Sequence, residues 1–140
     1  MGPGERVVAT GYAELRERER ARMEAACTRC GLCFEACPMT EFLPAIQGAA
    51  PGSTVAGVLN ILAGGQGDEA SRAWVKACGR TGTCNAACPH GVNPMLMMRL
   101  AKFEANENGT LPGRQDTDTM ARVKAFARLT LTEEEQRAWL

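Results

Sequence analysis

The seven cysteines of this 140-residue chain fall into two tight runs, one ending at Cys37 and the other starting at Cys78. That pattern constrains the fold more than any other feature. The first run reads Cys27-x2-Cys30-x2-Cys33-x3-Cys37-Pro38. Three thiolates at three-residue steps on a tight loop wrap three corners of an iron–sulfur cube. The fourth cysteine, one helical turn later, points away and in two-cluster proteins serves the other cluster. Gly31 suits a close approach of backbone to inorganic sulfide. The plainer alternative is zinc, but zinc prefers two separated cysteine pairs, often with histidine. An odd cysteine count does not suit a disulfide framework, and in a reducing compartment clustered thiols are more often metal ligands.

The second run, Cys78-Gly79-Arg80-Thr81-Gly82-Thr83-Cys84-Asn85-Ala86-Ala87-Cys88-Pro89, repeats the first with Thr81 in the second ligand position. Crossed ligation then divides the cysteines. Cys27, Cys30, Cys33 and Cys88 make a four-thiolate [4Fe–4S] site. Cys37, Cys78 and Cys84 make a three-thiolate site. Threonine is neutral at pH 7 and a poor ligand for a soft metal site, which favours a [3Fe–4S] cluster there. The alternative is a [4Fe–4S] cube whose unique iron holds water, Thr81 or a group from a partner.

The rest of the chain reads as helix. Aromatic residues are 5% of the sequence, fewer than a sandwich or barrel normally uses, and Ala, Leu, Met, Glu and Arg dominate. Residues 1–11 are expected to be a flexible arm, 12–108 the cluster domain and 109–140 a helical extension. Helices are expected over 12–26, 54–63 (capped by Ser53 or Thr54), about 69–77 (capped by Asp68), from Pro94 (capped by Asn93) to near Gly109, and about 118–129. Thr132 and Glu135 form a capping box for a last short helix. Glu14 and Arg18 stand four apart in the favourable order, and the alternating charges of residues 16–20 read as a solvated helix face. Gly64-Gly65-Gln66-Gly67 lacks the Gly-Lys-Ser/Thr of a phosphate loop. The fold class is all-α.

The two motifs and their helical spacing resemble the α-helical ferredoxin family. That family includes the small iron–sulfur subunit of heterodisulfide reductase and the C-terminal half of succinate dehydrogenase and fumarate reductase iron–sulfur subunits. Cys78-x5-Cys84-x3-Cys88-Pro89-His90-Gly91-Val92-Asn93-Pro94 is similar to the three-iron site of succinate dehydrogenase, where a non-ligand residue stands at the place of Thr81. The length, and Trp74 just before Cys78, look more like the small heterodisulfide reductase protein, although that protein normally has all eight cysteines. The plant-type [2Fe–2S] domain is missing. Gly79 stands where succinate dehydrogenase commonly carries a histidine beside the quinone, so a quinone site is not supported. The double-cysteine CCG repeats of the catalytic subunit are missing too.

The resemblance implies a small electron-transfer subunit in a hetero-oligomer. Its expected partners are a CCG-domain catalytic subunit, a flavoprotein, or both. The other readings are the iron–sulfur subunit of a different quinone- or flavin-linked dehydrogenase, and a redox sensor with a labile cluster. Sixteen basic residues balance sixteen acidic ones, which argues against a nucleic-acid binder. No apolar run is long enough to span a bilayer, the start lacks a signal peptide's apolar stretch, and the cytoplasm is the expected compartment. His90, the only histidine, is a candidate for tuning a cluster potential, as is Thr81. Arg29 and Arg80 sit inside the cluster loops, where positive charge favours the reduced cluster. Met95, Leu96, Met97 and Met98 are expected to pack on the cluster shell. The extension, with Met120, Val123, Phe126, Leu129, Leu131, Trp139 and Leu140, either packs back or docks on a partner.

Overall fold

The computed structural model describes the backbone of residues 3–112 and 116–139, and the side chains of residues 11–112 and 123–138. Met120, Trp139 and Leu140, named above, lie outside the described side chains. Among the described residues eight α-helices follow in order: α1 (Pro3–Ala26), α2 (Leu32–Ala36), α3 (Pro51–Leu62), α4 (Glu69–Ala77), α5 (Thr83–Ala87), α6 (Pro94–Glu107), α7 (Asp116–Thr130) and α8 (Glu133–Trp139). Two single 3₁₀ turns, Thr40–Phe42 and Pro44–Ile46, occupy the connector after the first cysteine run. No strand occurs among the described residues, so the chain is all-α. No helix among them is long and apolar enough to cross a membrane.

The scaffold is a three-helix layer in which α3 packs on both α4 and α6. Val55, Val58, Leu59 and Leu62 fill one stripe of α3, joined by Ile61. On α6 the buried stripe is Met97, Ala101 and Ala105, with Met98 and Leu100 beside it. Trp74 and Val75 enter from α4, and Ile46 from the second 3₁₀ turn. Met23, fully buried near the end of α1, docks that helix on the same core.

Several helix boundaries depart from expectation. The first helix begins at Pro3, so its backbone runs through residues 3–11, read above as an arm. It starts at a proline, whose missing N–H costs nothing in a first turn. For the same reason α3 starts at Pro51, and the capping residue is Ala50 rather than Ser53 or Thr54. Both hydroxyls donate back to the Ala50 carbonyl, at 3.1 and 2.9 Å. Glu14 and Arg18 form no ion pair among the described residues. Arg20 and Arg22 pair instead with Glu17 and Glu19, and Arg20 also with Glu24. Arg16 leaves the solvated face to reach α6, where its Nη1 donates to both Glu107 carboxylate oxygens at 3.0 and 2.9 Å.

The caps at Asp68, Asn93 and Thr132 form as the sequence implies. Asn93 accepts the Leu96 N–H at 3.0 Å, ahead of Pro94. Thr132 and Glu135 exchange hydrogen bonds at the start of α8, which packs on α7. Asp68 accepts the Ser71 N–H at 2.7 Å while Ser71 Oγ accepts the Asp68 N–H at 2.9 Å. Burial pushes the Asp68 carboxyl up, but the Ser71 hydrogen bonds outweigh it and hold the group below its ordinary range. A folded-state pKa below the unfolded one stabilises above the unfolded value, and the effect fades as pH falls through the folded one. Asp68→Ala is expected to cost about 1 kcal/mol at neutral pH, with the deficit shrinking in acid. Thermal unfolding of both proteins across pH checks it.

Candidate metal centre

The two cysteine runs fold alike. In the first, Arg29 adopts a left-handed conformation (φ 59°), Gly31 follows at φ 81°, and Cys37 caps the end of α2. In the second, Arg80 has φ 59°, Gly82 has φ 76°, and Cys88 caps the end of α5. An arginine in this region is uncommon, and such strain concentrates at functional sites. Its recurrence at matching positions extends the internal repeat from sequence to backbone. It also makes Thr81 the counterpart of Cys30. The two short helices pack on each other.

Each run contributes to both of two adjacent cavities. One, of about 320 Å³ including its open mouth, is lined by Cys27, Cys30, Cys33 and Cys88, with His90 and Met97. The other, of about 340 Å³, is lined by Cys37, Cys78 and Cys84, with Thr81, Trp74 and Met98. So α2 presents Cys33 to one cavity and its C-cap Cys37 to the other, while α5 presents Cys84 and its C-cap Cys88 in the opposite sense. His90 sits exposed beside the first cavity and Thr81 exposed beside the second. Thr81 Oγ1 lies 3.1 Å from Thr83 Oγ1.

The walls are apolar and come from the scaffold. The start of α6 separates the cavities, with Met97 facing the first and Met95 and Met98 the second. Val55 of α3 completes the first wall. Trp74 of α4, only 1% exposed, completes the second and meets Phe34 edge-on at 5.2 Å between ring centres. Sequence reasoning placed the methionines on the cluster shell but used Trp74 only as a landmark. It gave Phe34, between two cysteines, no role.

The donor set fits a polynuclear iron group. Burial first, and then thiolates at Cys27 and Cys84, push the Cys33 thiol up to about 12. Burial and the Cys78 and Cys37 thiolates raise Cys84 as well. Thiols so placed ionise together only when a cationic group offsets their charge. A single zinc gathers its sulfurs about 2.3 Å from one point. Among the described residues no three His, Cys, Asp or Glu side chains gather to hold one ion. The thiols stand around cavities instead.

A protein-family model for the 4Fe-4S dicluster domain matches residues 23–92, half of the chain. The chain belongs to that family. Several of its cysteines therefore bind a [4Fe–4S] cluster, and its role is iron–sulfur electron transfer. No curated protein and no solved structure matches it. Within this dicluster domain the two glycines of the repeat differ in one respect. A Cβ at Gly31 would run into Pro51 as well as adopt a left-handed φ, whereas at Gly82 the nearest contact is Met95 Sδ at 3.9 Å. Gly82→Ala is expected to cost about 1–2 kcal/mol from backbone conformation alone, and Gly31→Ala more, with loss of iron from the first cavity. Iron per chain and the unfolding midpoint of each variant check this.

Proposed function

We propose that Cys27, Cys30, Cys33 and Cys88 hold a [4Fe–4S] cluster. Cys37, Cys78 and Cys84 hold a second, three-thiolate cluster of the [3Fe–4S] type. The chain relays single electrons through the two inside a cytoplasmic, heterodisulfide-reductase-like complex. The partners in this reading are a CCG-domain catalytic subunit and a flavoprotein. The observation that carries it is the crossed supply of thiols, with each cavity drawing on both runs. When bound, the clusters supply reversible one-electron transfer.

The chain's own residues do the rest. Cys33 lies on α2 and Cys37, four residues on, is its extended C-cap, and Cys84 and Cys88 are placed the same way on α5. Two short peptide bridges therefore join the sites. Trp74, Phe34, Met97 and Met98 keep water from the inner faces, and such shells set potential. Cys30 and Thr81 face solvent at equivalent outer corners, where electrons enter and leave. Thr81 supports three irons at the second site, because a neutral hydroxyl is a poor partner for a fourth.

Anaerobically purified protein is expected to carry about seven irons per chain and, when oxidised, the near-isotropic EPR signal of a three-iron cluster. About eight irons with an EPR-silent oxidised state would contradict the three-iron assignment. Thr81→Cys is expected to add one iron and abolish that signal. Unchanged iron and spectra would refute the equivalence of Thr81 and Cys30.

A further inference from the structure

Resting on that two-cluster reading, we propose that the second cluster exchanges electrons with a partner whose docking face is acidic, recognised by a basic rim at the second cavity's mouth. Lys76, Arg80 and Arg99 are exposed, and Lys102 is half-buried. Arg80 lines the cavity itself. Lys76 stands two residues before Cys78, at the end of α4. Lys102 Nζ donates to the Lys76 carbonyl at 3.3 Å, which fixes its place beside that chain end. Arg99 follows Met98, which lines the cavity, and its guanidinium lies over Phe103 at 5.2 Å.

None of these four cations pairs with a carboxylate among the described residues, where the ion pairs are those of Arg16, Arg20 and Arg22. No carboxylate lines the second cavity. Glu35 and Glu41, each two residues from a lining residue (Cys37 and Met39), are the nearest acids in sequence, and both are exposed. The chain as a whole is neutral, so this excess is local. The first site differs despite the shared backbone. The cation of the first cysteine loop is Arg29 alone, which is exposed and donates to the Cys27 carbonyl at 3.2 Å, and the neighbouring exposed apolar residue is Leu32. A thiolate-bound cluster is itself negative and draws part of the rim's field. Lys76 and Arg80 are exposed, and exposed charges of one sign steer an approaching acidic surface and suppress a basic one.

The test uses the full chain with both clusters loaded and reduced. The oxidants are hexacyanoferrate(III), a trianion, and hexaammineruthenium(III), a trication. Each takes one electron from a reduced cluster and becomes the divalent-metal complex. Freeze-quench EPR follows each cluster separately at low and high salt. The double variant Lys76→Glu, Arg80→Glu leaves the cysteines, and the backbone contact of Lys102, in place. At low salt it is expected to lower the anion-to-cation rate ratio at the second cluster about tenfold. The first cluster should change little, and high salt should erase the difference. An unchanged ratio at the second cluster would overturn the proposal. So would an equal change at both clusters, or a shifted potential with no change in selectivity. Clusters absent or redox-inert in the unmodified chain would instead overturn the relay reading, before any oxidants are compared.

Discussion

Crowded thiols in an apolar cavity do not ionise together unaided, and the rest of this structure follows from that constraint. Cys33 is nearly enclosed, and its thiol is pushed up to about 12 by burial and by its neighbours. Left alone, such a set opposes its own charge. An iron–sulfur group supplies the offsetting charge, which couples cluster binding to the stability of the two loops. The scaffold formed by α3, α4 and α6 has its own apolar core, but it meets the loops through Val55, Trp74, Met97 and Met98, the residues that wall the cavities. Loss of iron would be felt in the packing as well as in the loops.

The repeat explains how one short motif builds two different sites. Both halves use the same backbone device: a left-handed arginine, a left-handed glycine and a five-residue helix with a cysteine at its end. Because each helix delivers its last cysteine to the neighbouring cavity, a change in one half is felt in both. The replacement of a thiol by Thr81 leaves the crossing intact, since Thr81 occupies an outer corner rather than a bridging position. The sites differ at the rim, with Thr81, Lys76 and Arg80 at one and Cys30, Leu32 and Arg29 at the other, and in the wall, with Trp74 and Met98 at one and Val55 and Met97 at the other.

Much of this was legible in the sequence because cysteine spacing and helix caps are local signals. Asp68 and Asn93 each cap where a short polar side chain precedes an apolar stripe, and Thr132 where Glu135 completes a capping box. The same locality limits the reading. The early starts of α1 and α3 come from prolines that read equally well as loop punctuation. The Arg16–Glu107 link joins residues far apart in sequence and leaves no periodic trace. The Trp74–Phe34 contact is also non-local. The shared conformation of Arg29 and Arg80 did have a signal, since they align in the two halves, but alignment gives identity and not φ. The basic rim is spread over α4, the second loop and α6, so no single stretch of sequence displays it.

The central claim is that each cluster takes one thiolate from the far motif. Two single substitutions test it most directly: Cys37→Ser and Cys88→Ser, each examined by iron content and EPR after anaerobic purification. Crossed ligation predicts that Cys37→Ser removes the oxidised three-iron signal and spares the [4Fe–4S] cluster bound by the rest of its own motif. It predicts that Cys88→Ser does the reverse. If each substitution instead damages the cluster of its own motif, the division of cysteines between the two cavities is wrong.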